Sequence, residues 1–166
     1  ERIRKIEFDT GGYEVYLLDD QKRTMKNYAT EKDINGRKLV KNEEHAQNSD
    51  IEADYTWIHF FLPIEPLLAT RTVYILGALT DWQLNETSQM RYNPLKKRYE
   101  KRLFLKQGYY NYLYVVKDSR SGKSDERPIE GSHWETENEY TIWVYYYETA
   151  GLYDRLIAVQ NINAIK

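Results

Sequence analysis

Along the chain, apolar side chains recur at every second position, and runs that repeat at three and four are almost absent, so the pattern predicts strands and few helices. Residues 2–8 and 13–18 are two short alternating runs around Asp9-Thr10-Gly11-Gly12, whose adjacent glycines can take the positive φ that tight turns need. They predict a hairpin. From 19 to 54 the chain turns polar, with Asn35-Gly36 between Tyr28 and Leu39-Val40 as a second hairpin turn and residues 43–54 as an exposed connector. Further strands are predicted over 55–62, 72–77, 98–105, 109–117, 140–148 and 152–161. Pro63 and Pro66 end the first of these, Gly108 separates the third from the fourth, and Ala150-Gly151 turns the chain between the last two. The longest loop covers 118–139. The sum is an all-β chain, with a β-sandwich over 55–166 preceded by a hairpin-containing linker segment over 1–54.

Two strands are apolar on both faces. In 109–117 one face carries Tyr110, Tyr112, Tyr114 and Val116, and the other Tyr109, Asn111, Leu113 and Val115. In 140–148 Tyr140, Ile142, Val144 and Tyr146 oppose Trp143, Tyr145 and Tyr147. One face of each is expected to build the core, which leaves the second as a surface patch or as a face that something covers. No internal repeat or low-complexity tract interrupts the pattern.

Composition narrows the function. The 166 residues hold 24 Lys+Arg against 26 Asp+Glu, a formal charge of −2 that gives no pull toward nucleic acid. The chain has no cysteine, which excludes disulfides, thiolate catalysis and Cys-ligated metal. No apolar run approaches the roughly 18 to 20 residues of a membrane-spanning helix. The first residue is Glu1 and not Met, so a processed or truncated chain is expected.

Candidate chemistry is sparse. His45, His59 and His133 fall in the connector, in a strand and in the long loop, without the spacing of a metal site. His59, between Trp57 and Phe61, reads as a semi-buried, hydrogen-bonded strand residue. Asp19-Asp20, Glu43-Glu44 and Glu130, Glu135, Glu137 and Glu139 are interleaved with Lys and Arg, as on an ordinary solvated surface. Arg120 stands where a calcium loop over 118–125 needs an oxygen ligand, and there is no G-x-S-x-G or phosphate-cradling glycine motif. Neither an enzyme nor a cofactor is expected. What remains is 16 Tyr, 4 Trp and 4 Phe, side chains that fill cores, stack on sugars or form protein interfaces.

Residues 73–82 (Val-Tyr-Ile-Leu-Gly-Ala-Leu-Thr-Asp-Trp), Met90-Arg91-Tyr92, Tyr99-Glu100 and residues 105–112 (Leu-Lys-Gln-Gly-Tyr-Tyr-Asn-Tyr) resemble early-set immunoglobulin-like domains of the glycogen-binding kind. The resemblance covers about 45 residues and implies an immunoglobulin-like sandwich in which Trp82 would stack on sugar. The sequence departs from that family in two places. Leu113 stands where the family has a lysine, and Trp134, in the position of a second platform ring, lies in a longer loop.

A second resemblance runs over nearly the whole chain. It is carried by residues 8–16 (Phe-Asp-Thr-Gly-Gly-Tyr-Glu-Val-Tyr), 30–37 (Thr-Glu-Lys-Asp-Ile-Asn-Gly-Arg), 52–55 (Glu-Ala-Asp-Tyr), 130–138 (Glu-Gly-Ser-His-Trp-Glu-Thr-Glu-Asn) and 153–157 (Tyr-Asp-Arg-Leu-Ile). These segments are similar to the C-terminal part of the type IX secretion system plug family, long catalogued as a domain of unknown function. That resemblance implies an exported periplasmic protein that closes the periplasmic mouth of a large outer-membrane translocon barrel and catalyses nothing. The family also has an N-terminal β domain that this sequence does not contain. On this reading Trp143, Tyr145 and Tyr147, with Trp134 and Tyr109, are the expected partner-contact patch. A glycan-binding module centred on Trp82 is the alternative, and an accessory domain of a carbohydrate-processing enzyme is the third class.

Overall fold

The computed structural model describes residues 2–24, 26, 34, 36–41, 49–133 and 138–164. The chain is nearly all β, as the period-two pattern implied. Its strands are β1 (Ile3–Asp9), β2 (Gly12–Leu17), β3 (Lys38–Val40), β4 (Tyr55–Leu62), β5 (Arg71–Gly77), β6 (Arg91–Asn93), β7 (Arg98–Lys106), β8 (Gly108–Tyr110), β9 (Tyr112–Asp118), β10 (Ser124–Asp125), β11 (Asn138–Glu148) and β12 (Tyr153–Ala164). Two single-turn helices, α1 (Ser49–Glu52) and α2 (Arg127–Glu130), and a 3-10 turn at Ala78–Thr80 complete the described elements.

Two sheets make a sandwich. The larger has the order β1-β2-β4-β7-β6 and the smaller β10-β9-β5. All pairings in them are antiparallel except β2 with β4, where Glu14, Val15 and Tyr16 align with Trp57, Ile58 and His59. Alternation puts Phe60 and Leu62 of β4 on the inner face, and Val73 and Ile75 of β5 and Tyr114 and Val116 of β9 meet them there. Met90, Tyr99, Leu103 and Ile129 complete this buried core.

The division expected between 54 and 55 does not separate two bodies. The β1–β2 hairpin is an integral part of the larger sheet through the parallel β2–β4 pairing, so the sandwich starts at the first strand. The compact units are instead Glu1–Ser132 and His133–Lys166. The second unit holds the hairpin of β11 and β12, which among the described residues pair only with each other, so two strands expected in the sandwich form a two-stranded ribbon.

Local corrections follow from long-range pairing. The turn at Gly36 forms, with the Arg37 N–H donating to the Ile34 carbonyl at 3.1 Å. Its expected partner around Tyr28 lies outside the described residues, and β3 pairs with β8 instead. The approach is close: a Cβ on Gly108 would sit 2.3 Å from the Leu39 carbonyl oxygen, so only glycine fits there. The loop expected over 118–139 holds β10 and α2, and α2 inserts Ile129 into the core.

Candidate partner-binding surface

The ribbon collects most of the expected contact residues. Its strands are joined by a turn over 149–152, as Ala150-Gly151 implied, and Leu152 takes a φ of 52° to close it. Register places Trp143 opposite Val159, Tyr145 opposite Leu156 and Tyr147 opposite Asp154. The register shifts between Val144 and Tyr145, which leaves Ile157 as an extra residue that bends the ribbon and strengthens its twist. Trp143, Tyr145 and Tyr147 share one face and are 55%, 57% and 52% exposed. The opposite face is apolar too, with Tyr140, Ile142, Val144, Tyr146 and Ile162 exposed.

The other two members of the expected patch are not residues of β11 or β12. Tyr109 is half exposed on β8 and belongs to the first unit. Trp134 lies outside the described residues.

Rings on the larger sheet are handled differently, and sequence reasoning did not foresee it. On the outer face of β1, β2, β4 and β7 the rings carry cations: Lys5 over Tyr16 at 4.4 Å, Arg98 over Phe61 at 3.8 Å and Arg102 over Trp57 at 3.8 Å. Tyr16 stacks on His59 with ring centroids 4.3 Å apart. His59 Nε2 lies 2.5 Å from Glu14, whose other oxygen accepts from Arg102 at 2.5 Å. The Glu7 carboxylate is held below its usual range by the Lys5 ammonium bonded to it, and the same Glu7 raises the Tyr16 hydroxyl. Planar groups and cations laid across one another thus cover this face, as amphipathic side chains do on a half-solvated sheet. His59 is the semi-buried hydrogen-bonded residue that its sequence context suggested.

A second polar cluster ties the start of the chain to the smaller sheet. Asp20 is only 5% exposed, and its carboxylate accepts from Tyr112 Oη at 2.8 Å, from Tyr114 Oη at 2.5 Å and from Arg2. Burial pushes the Tyr112 hydroxyl far above the ordinary phenol range, and the Asp20 charge adds to it. Tyr114 moves the same way through burial, Tyr112 and Asp20. Nearby, Glu130 accepts from the Tyr114 backbone N–H at 2.7 Å, and burial raises its carboxyl. No buried side-chain nitrogen or oxygen among the described residues lacks a hydrogen-bond partner, which marks the cluster as a structural tie.

Trp82, the expected sugar platform, follows the 3-10 turn with Asp81 and Trp82 both at positive φ, 49° and 57°. Two consecutive non-glycine residues in that region are strained, and the strain is borne by the Trp82 N–H donating to Gly77 at 3.0 Å and by Thr80 Oγ1 donating to the carbonyls of Ile75 and Gly77. The indole is 54% exposed. Its benzene edge lies against Gly36: a Cβ on that glycine would be 2.8 Å from the ring.

No protein-family model matches the chain, and no curated protein matches it either. Among solved structures it is similar to a hypothetical protein from Parabacteroides merdae ATCC 43184, with 38% identity and a TM-score of 0.88. The match covers 98% of this chain and 41% of that one, so the chain spans less than half the length of that relative. The all-β fold is therefore shared with an experimentally determined structure over almost every residue.

Proposed function

We propose that this chain belongs to a non-enzymatic interaction protein of the type IX secretion system, an exported protein that docks at the periplasmic mouth of the outer-membrane translocon barrel and plugs it. The five separated sequence segments that resemble the plug family support the reading. The observation that carries it is the ribbon. A two-stranded hairpin is at best marginally stable alone in water, and this one exposes Trp143, Tyr145 and Tyr147 on one face and aliphatic and tyrosine side chains on the other. Large, rigid, exposed rings have the composition of an interface centre, whereas Tyr16, Phe61 and Trp57 of the larger sheet are matched by cations within the chain. A tagged pull-down of the full-length protein from the envelope of its own host, at two salt concentrations, is expected to recover a very large outer-membrane barrel. Recovery that survives the higher salt fits an apolar contact, and absence of the barrel at both would defeat the proposal.

Trp82 favours a second reading, a glycan-binding module. A half-exposed indole held in a strained backbone is the kind of feature that marks ligand sites. Against it, Gly36 already occupies the edge of the ring, and Leu113 replaces the lysine of the glycogen-binding pattern. Retention on immobilised α-glucan that Trp82→Ala abolishes would favour the glycan module.

A further inference from the structure

From the ribbon we infer that, on the reading above, docking proceeds by insertion of β11–β12 into an uncharged protein slot that contacts both of its faces, and not by laying one face on a surface. The first argument is chemical. Residues 140–147 and 156–163 contain no charged side chain, and the ionisable groups Glu139, Glu148, Asp154 and Arg155 stand only at the two ends. Register sets Asp154 and Arg155 beside Tyr147 and Tyr146, so the charge-free middle of the ribbon is 140–145 against 156–162, about 20 Å long at about 3.4 Å per residue, and it is matched only by walls without charge, with polar rims at the ends.

The second argument is area. An eleven-residue ribbon, two strands wide, presents a plan area of about 360 Å² per face, since each strand adds about 3.4 Å per residue and about 4.8 Å of width. Stable specific interfaces bury about 800 Å² on each partner. One face falls short even with the relief of the side chains, so a second copy packed face to face would be too small a dimer. Both faces together give about 720 Å² in plan, and the relief of the side chains carries that sum to the needed area. The third argument is the ribbon's edges. Residues 138–164 contain neither Lys nor Pro, the residues that natural proteins place to block strand addition, so a slot with a free strand can also pair with the backbone.

The test is site-specific photo-crosslinking in the native host with the full-length protein, carrying p-benzoylphenylalanine at Trp143, at Ile142 on the opposite face, or at Leu95, which is exposed on a sandwich turn and serves as control. The expected result is a mass shift to one and the same partner from Trp143 and Ile142, and none from Leu95. Adducts from only one face, adducts of twice the chain's own mass, links only within the chain, or no adduct from either position would each overturn the inference. Identification of the adduct separates the two ideas. Both faces linked to a protein other than the translocon barrel would leave the slot standing and remove the plug reading. The barrel linked through one face alone would do the reverse.

Discussion

Substituting Asp20 by alanine removes the shared acceptor of the cluster that fastens the start of the chain to the smaller sheet. Three groups lose their partner: the hydroxyls of Tyr112 and Tyr114 and the guanidinium of Arg2. The Arg2 side chain is nearly half exposed, so solvent screens its pair and its share is small. The two phenols count more. A hydrogen bond to a charged acceptor is worth about 1.5 to 3 kcal/mol, and Tyr114, only 2% exposed, would be left with a buried donor unpaired. Because the bonds share one acceptor they do not add, and the expected loss for Asp20→Ala is about 3 to 5 kcal/mol, with about 1 to 3 kcal/mol for Asp20→Asn, which keeps an acceptor oxygen. Urea unfolding followed by tryptophan fluorescence reads this as a midpoint shift of about 1.5 to 2.5 M for the alanine variant at a slope of about 2 kcal/mol/M. In a cycle with Tyr114→Phe, the double variant is expected to be less damaged than the sum of the singles. A loss below about 1 kcal/mol for Asp20→Ala, or strict additivity in the cycle, would refute the reasoning.

The same phenols set an alkaline limit. Their folded-state values are raised, so their protonated forms favour the fold; this contribution is whole below the ordinary tyrosine value of about 10 and is lost as pH rises above it. Stability measured between pH 9 and 12 (roughly the window set by that value) is expected to fall, with a shallower slope in Tyr112→Phe and Tyr114→Phe, and equal slopes in all three proteins would contradict the assignment. Gly108→Ala forces a Cβ into the Leu39 carbonyl and is expected to cost on the order of 2 kcal/mol or more, with faster hydrogen exchange at the β3–β8 pairing; unchanged exchange would count against that close approach. Leu62, fully buried in the core, is expected to cost about 2 to 5 kcal/mol as Leu62→Ala in the same unfolding assay. Trp82→Ala is expected to lower stability by about 1 to 2 kcal/mol through lost contact with Gly36, and to leave retention on α-glucan where it was.

Much of the fold was legible in local pattern. Tyr55–Leu62 and Arg71–Gly77 announce themselves by alternation, and Ala150-Gly151 by its turn chemistry. What escaped was set at a distance. The parallel pairing of β2 with β4 joins residues more than forty positions apart and leaves no local mark, which is why local pattern alone places the first hairpin in a linker. Asp20 sits in a polar stretch that reads as surface, and its burial arises only because Tyr112 and Tyr114 arrive from a strand over ninety residues later. Glu14, His59 and Arg102 meet through register alone, from three strands. The double apolar face of 140–148 was visible, but the expectation that one face must enter the sandwich core came from treating all strands as members of one sandwich. Among the described residues β11 and β12 pair only with each other, and side chains on both faces of the ribbon are exposed.

The central claim rests on what the ribbon touches. The most direct measurement is the affinity of the full-length protein for the purified outer-membrane translocon barrel in detergent, for the wild type and for Trp143→Ala, Tyr145→Ala and Tyr147→Ala combined. All three residues are exposed, so circular dichroism and the unfolding midpoint of the sandwich are expected to stay near wild type. Interface-centre aromatics each contribute about 1 to 3 kcal/mol, so the account expects tight binding of the wild type and a loss of about a hundredfold or more in the triple variant. A barrel that does not bind the wild type, or that binds both proteins equally, would contradict it.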